Sequence, residues 1–191
     1  MFDFDIHNKD TASKEGAKSI DKVLKKFGFV PNIIGVMAEA PATATSYFAL
    51  ADLVETTSFS DTEIQTVLMT INRFHECTYC MAAHSVIAEI KNVPESVINA
   101  IRDDRPIQDN KLETLRQTVY SLVENRGHLS EGALGKFAAA GYTRKNLLEL
   151  LPLIAMKTLS NYTNHLANTP LDDAFSQKEW SIPHIAQKMS A

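Results

Sequence analysis

A chain of 191 residues, 45% hydrophobic and 22% charged, has the make-up of a globular protein, and nothing in it points to disorder. A net charge of −4 without any Lys/Arg-rich run counts against nucleic acid as a partner. The acidic start, Met1-Phe2-Asp3-Phe4-Asp5, is unlike a secretory signal, and no apolar run approaches the ~20 residues of a membrane span, so a reducing cytoplasm is the expected compartment.

Apolar residues recur at three and four positions, and alternating β-branched runs are absent, so an all-α single-domain helical bundle is expected. The first helix runs from Ser13 to Phe27 and is closed by Gly28. Phe29-Val30-Pro31-Asn32 is a connector, because Pro31 disfavours helix at Val30. Ile33 to Ala38 forms a short turn of helix, and Pro41 starts the next, to about Thr57. Ser60-Asp61-Thr62-Glu63 is a capping box opening a long helical stretch to about Lys91. Pro94 opens a helix to Arg102, followed by a loop at Asp103-Asp104-Arg105-Pro106. Asn110 to Glu124 is helical, Ser130 caps a short helix ending before Gly141, and Thr143 caps the last one, to about Leu166. Pro152 should kink it. Asn161-Tyr162-Thr163-Asn164-His165 faintly echoes the 75–84 region, which raises the possibility of duplicated helical units. The helical domain is set at 1–168. The tail, 169–191, is expected to pack on the domain or on a neighbouring subunit, with Trp180, the only tryptophan, as an anchor across an interface.

The chemistry sits in His75-Glu76-Cys77-Thr78-Tyr79-Cys80-Met81-Ala82-Ala83-His84. The two cysteines are the only ones in the chain. On a helix they share one face with Cα atoms roughly 5 Å apart, within the range a disulfide tolerates. A thiolate attacks where a thiol hardly does, and the imidazole of His84 is placed to move its proton. On one continuous helix Arg73 and Glu76 would join Cys77, Cys80 and His84 within roughly 100° of arc. A peroxide reacting at one thiolate gives a sulfenic acid, which the second cysteine closes to a disulfide. Two other readings stay open: an inert buried pair beside a surface histidine, and a zinc site using Cys77, Cys80, His84 and His75. Structural zinc sites usually draw on two separated pairs, and no second pair exists here.

The segment from Cys77 to His84 resembles the signature of the alkylhydroperoxidase D-like (AhpD-like) branch of the carboxymuconolactone decarboxylase family. Phe29-Val30-Pro31-Asn32 with Pro41 resembles the entry of that family's peroxidase-related group. Gly141-Tyr142 and the 161–165 stretch resemble its closing helices. The resemblance implies an all-helical homo-oligomer acting as a thiol-dependent hydroperoxidase in antioxidant defence, without cofactor or metal. It implies Cys80 as the attacking cysteine, Cys77 as the resolving one and His84 as the proton relay. The implied partners are a hydroperoxide or disulfide substrate and an external dithiol donor of lipoyl or thioredoxin type.

Two positions depart from the pattern. The family usually places a glutamate twelve residues before the first cysteine, where this chain has Gln65; an amide can hold a hydrogen bond but cannot accept the proton. His75-Glu76 stands where many members have Asn-Gly, which makes Glu76, and less so His75, candidate relay groups. On one straight helix Gln65 would lie roughly 22 Å from Cys80. For Gln65 to join the site the stretch must break near Asn72 to Glu76 and start a new helix at Cys77, which would also lower its pKa. Arg73 could stabilise the anion and Tyr79 could line the thiol pocket. Phe74, Met69 and Met81 are expected in the core, His128 and His184 on the surface, and His165 in the core or at a subunit contact. The alternatives to a peroxidase are a protein disulfide reductase or redox sensor, weakly peroxidatic because of Gln65, a decarboxylase-like enzyme, and a non-enzymatic zinc module.

Overall fold

The computed structural model describes residues 2–182. Among these the regular structure is nine α-helices and one 3-10 turn, with no strand. The helices are α1 (Lys14–Phe27), α2 (Asn32–Met37), α3 (Pro41–Val54), α4 (Asp61–Phe74), α5 (Thr78–Ile90), α6 (Glu95–Arg102), α7 (Asn110–Glu124), α8 (Glu131–Ala139) and α9 (Arg144–Ala167), and the 3-10 turn is Asp173–Lys178. The all-α expectation is borne out. None of these helices is long and apolar enough to cross a membrane.

Side-chain caps fix the helix starts. Ser13, Asp109 and Ser130 accept from backbone N–H groups of the first turn, and Ser60–Glu63 and Thr143–Asn146 form reciprocal capping boxes. Helix α3 stops at Val54, short of Thr57, because the hydroxyls of Thr56 and Thr57 turn back to the carbonyls of Leu53 and Val54. Helix α9 continues through Pro152.

The expected single stretch from 61 to 91 is two helices. Helix α4 ends in a Schellman turn: Cys77 N–H donates to Asn72 O (3.0 Å) and Glu76 N–H to Arg73 O (3.1 Å). The left-handed position is Glu76, with φ 54°. Such a conformation costs a non-glycine residue roughly 1–2 kcal/mol, so glycine is the usual occupant.

Helix α4 is the central rod. Every residue from Ile64 to Asn72 is buried, and α5, α6, α7 and α9 pack around it. Val67, Ile71, Leu115, Val119, Leu150 and Leu153 form the core between α4, α7 and α9, each 0% exposed and each worth roughly 1.5–3 kcal/mol of burial. A second apolar cluster, from α1, α2, α3 and α5, encloses the two cysteines. Met69 and Met81 are buried as expected, whereas Phe74 is half-buried against Tyr120.

The tail folds back on its own chain. Asp172 accepts from the N–H of Asn32 (3.0 Å) and from the hydroxyl of Tyr79. Phe175 packs edge-on against Phe29 and Tyr79. Trp180 packs on its own chain: its indole N–H donates to Arg102 O (3.1 Å), and Arg102 in turn holds the carbonyls of Lys178 and Glu179. Residues 183–191, with His184, lie outside the described residues.

Candidate active site

The break after α4 puts Cys77 at the cap of α5 and Cys80 one turn into it. It also folds α5 back along α4, so that Gln65 and His84 meet: His84 Nδ1 lies 3.0 Å from Gln65 Oε1. An amide oxygen only accepts, so Nδ1 carries the hydrogen and Nε2 keeps its lone pair. Burial, and then the positive charge of Lys157, hold His84 well below the usual histidine range, so the ring is neutral. It is a base with no carboxylate behind it. Gln65→Glu would supply one, and is expected to speed thiol oxidation by hydroperoxide roughly tenfold, read by stopped-flow.

Both thiols are free and buried, Cys77 at 1% and Cys80 at 2% exposure. Helix α9 supplies their environment. Asn164 Nδ2 donates to Cys80 Sγ at 3.1 Å and approaches Cys77 Sγ at 3.8 Å. Ser160 Oγ lies 4.0 Å from Cys80 Sγ. Asn161 donates to Asn72 Oδ1 (3.0 Å), and Asn72 holds Cys80 O (3.1 Å), which fixes α9 to the α4–α5 turn. Burial opposes a charge on Cys80. The hydrogen bond from Cys77, the cation of Lys157 and the amides of Asn161 and Asn164 outweigh it, and bring Cys80 down to about 5. Cys77 moves the other way, through its bond to Cys80 and through burial. The two shifts point the same way: the first proton to leave the pair leaves from Cys80, and Cys77 keeps its own.

Lys157 is 1% exposed, and among the described residues it enters no ion pair with a carboxylate. Its positive charge acts on Cys80, where it favours the thiolate. A cation here would repel a zinc ion, and no group of three His, Cys, Asp or Glu placed to hold a metal occurs among the described residues.

The other candidates part company once the helix breaks. Arg73 points away from the thiols, with its guanidinium over the Trp180 ring (5.3 Å) and 3.6 Å from Asp104. The cation at the site is Lys157. His75 is wedged between Phe74 and Tyr162, with ring centroids 5.2 Å from each, and makes no hydrogen bond to a cysteine. Glu76 sits in the left-handed turn, exposed, so it is not one helical turn from Cys80, and the partner of His84 is Gln65. Tyr79 lines the pocket and ties down the tail through Asp172. His128 is exposed, as is His165, which borders Cys77.

Cys80, His84, Lys157 and Ser160 open onto a cavity of ≈ 340 Å³. Its remaining wall is apolar, with Phe29, Tyr47, Phe48, Tyr79 and Phe175 supplying aromatic rings. Sequence reasoning missed Lys157, Ser160, Asn161, Asn164 and Asn72. The available signal was polarity out of place: on α9 the first four follow Leu150 and Leu153 along the buried face, and on α4 Asn72 follows Leu68 and Ile71.

The fold agrees with the comparisons. No family model matches the sequence, and no curated protein matches it. Solved structures do. An alkylhydroperoxidase AhpD core, an uncharacterized peroxidase-related protein from Ralstonia eutropha JMP134, superposes with a TM-score of 0.78 at 18% identity, over 90% of this chain and 93% of that one. The debrominase Bmp8, in complex with 2,3,4-tribromopyrrole, gives a TM-score of 0.73 at 15% identity, over 93% and 95% of the two chains. An uncharacterized peroxidase-related protein from Silicibacter sp. TM1040 gives 0.73 at 12%, over 91% and 92%. The chain has the all-α fold of the AhpD core. Peroxidase-related proteins and a debrominase are similar to it in structure.

Proposed function

We propose that the protein is a thiol-dependent hydroperoxidase acting on apolar organic hydroperoxides. The observation that carries this is the Cys80 sulfur: it stands beside Lys157 and Asn164, one helical turn from a protonated Cys77, and faces an apolar cavity that also holds a neutral histidine. Cys80 thiolate attacks the outer peroxide oxygen, the O–O bond breaks, and the electron pair leaves on the alkoxide. His84 Nε2 takes the hydroperoxide proton and returns it to the alkoxide. Lys157 and Asn164 steady the charge throughout. Cys80 is left as the sulfenate, which takes a proton from solvent; the Cys77 thiol then displaces water from that sulfenic acid and closes the disulfide, which an external dithiol reduces.

The aromatic cavity wall offers little to hydrogen peroxide and much to an apolar group. Cumene hydroperoxide is expected to oxidise the reduced protein at least about tenfold faster than hydrogen peroxide, because a buried hydrocarbon substituent is worth upwards of 1.4 kcal/mol. Stopped-flow rates for the two oxidants test this; hydrogen peroxide as the faster would remove the basis for the substrate class. Burial of both sulfurs counts against a folded protein disulfide as substrate.

The same cavity supports a second reading. A thiolate beside an aromatic-lined pocket can also remove a halogen from a halogenated aromatic, and the debrominase with a bound tribromopyrrole has a similar fold. There Cys80 would take the halogen, Cys77 would displace halide to form the disulfide, and the ring would keep the electron pair and gain a proton. Halide release from a bromopyrrole by the reduced protein separates the readings.

A further inference from the structure

Two phenols, Tyr47 and Tyr79, stand in the cavity wall beside three phenylalanines, Phe29, Phe48 and Phe175. The Tyr79 hydroxyl is taken up by Asp172. The Tyr47 hydroxyl is not taken up: among the described residues it has no hydrogen-bond partner, and it is not one of their polar atoms sealed from open space. Tyr47 lies on α3 and is half-buried, and the cavity that holds Cys80 is the space it lines. Its ring is fixed on both sides. It packs against the core between α4, α7 and α9 and against the cluster enclosing the cysteines, edge-on to Phe48 with ring centroids 5.8 Å apart. A hydroxyl left unpartnered in an apolar wall is a loss to the fold, and phenylalanine, used at the next position, would fill the space without it. The phenol is also coupled to the thiol. Burial, and then the charge of Cys80, push Tyr47 above the usual tyrosine range, so it is a neutral donor wherever Cys80 is a thiolate. No hydrogen bond joins the two groups, yet both border one cavity, which leaves room for a bound substrate between them.

We propose that Tyr47 is a catalytic donor: its hydroxyl hydrogen-bonds the inner peroxide oxygen, the one that becomes the alkoxide when Cys80 attacks the outer oxygen. The inference rests on the hydroperoxide reading and names a further group that the reaction uses. An alkoxide is a poor leaving group, and its charge appears only as the O–O bond breaks. A donor placed there acts on the transition state more than on the bound substrate. Lys157 and Asn164 reach the site from α9 and already serve the sulfur, whereas Tyr47 brings its donor from α3.

The step balances. The S–O bond forms as the O–O bond breaks, the sulfur is oxidised, and the electron pair leaves on the inner oxygen. The hydroperoxide proton reaches that oxygen through His84, and the alcohol departs. Tyr47 keeps its own proton throughout, so it needs no base to reset it.

Tyr47→Phe removes the hydroxyl and keeps the ring. Oxidation of the reduced native and variant proteins is followed by stopped-flow at pH 6 with two oxidants. Cumene hydroperoxide expels an alkoxide; perbenzoic acid expels a carboxylate, which is stable without a donor. The variant is expected to react with cumene hydroperoxide at least about tenfold more slowly and to lose much less with perbenzoic acid, so the ratio of the two rates widens. Equal losses with both oxidants, or none, overturn the assignment. The pH midpoint of Cys80 alkylation should stay at about 5 in the variant, because Tyr47 is not among the groups that most favour the thiolate. A midpoint that moves up would place the action of Tyr47 on the sulfur and overturn the donor role. The Tm of Tyr47→Phe should equal or exceed the native value; a fall would show that the hydroxyl serves the fold instead. Native protein inert to both oxidants would remove the hydroperoxide reading and this inference together, whereas a reactive native protein beside an equally reactive variant removes Tyr47 alone.

Discussion

Cys80→Ser is expected to abolish hydroperoxide consumption, whereas Cys77→Ser consumes one equivalent and stops. The difference follows from the positions of the two sulfurs. Cys80 borders the apolar cavity, and Lys157 and Asn164 favour its thiolate, so in the proposed cycle it is the sulfur that attacks. Cys77 is pushed toward the neutral thiol and borders a separate cleft. Without it the sulfenic acid on Cys80 has no resolving partner. A dimedone-trapped sulfenic acid in Cys77→Ser and none in Cys80→Ser is the expected pattern. The reverse pattern would exchange the two roles.

Lys157→Met is expected to move Cys80 up from about 5 toward the ordinary thiol range, with the hydrogen bonds from Cys77, Asn161 and Asn164 still favouring its thiolate. In the native chain the first proton leaves the pair, from Cys80, at about 5, so at pH 6 the sulfur is nearly all thiolate, and reactivity is lost as pH falls through that value. A complete return to about 8.5 would leave about 0.3% thiolate at pH 6, so a fall of about 300-fold is the upper bound. A more basic thiolate is a better nucleophile and recovers part of this, while the lost cation no longer steadies the departing alkoxide. The clean readout is the pH midpoint of thiolate ultraviolet absorbance and of alkylation. A midpoint still near 5 would show that Lys157 does not hold the charge. The methionine variant should still fold, since Cys80 can take up a proton rather than remain a buried charge without a partner.

The helix inventory was legible because its punctuation is chemical. Ser13, Ser60, Ser130 and Thr143 are caps that satisfy N–H groups, and Gly28 and Gly141 adopt the left-handed conformation at helix ends. The turn that builds the site was not, because Glu76 stands where glycine would have announced it. Asn92, Asp104 and Asn168 play the same part after α5, α6 and α9. Spacing alone brought out Cys77, Cys80 and His84, and the twelve-residue offset brought out Gln65. It also misplaced Arg73 and Glu76, since both were clustered on a helix that ends before Cys77. Lys157 and Asn164 lay beyond local reasoning: they meet the cysteines only when α9 packs against the α4–α5 turn. Their trace in the sequence is a lysine and an asparagine on a face that begins with leucines.

The most direct measurement is a thiol titration with intact mass on fully reduced protein, before and after one equivalent of cumene hydroperoxide. The expected result is the loss of both thiols and a fall of about 2 Da, absent from Cys77→Ser and Cys80→Ser. Two thiols left untouched would contradict peroxide reduction at Cys80, and would move attention to halogenated aromatics in the same cavity.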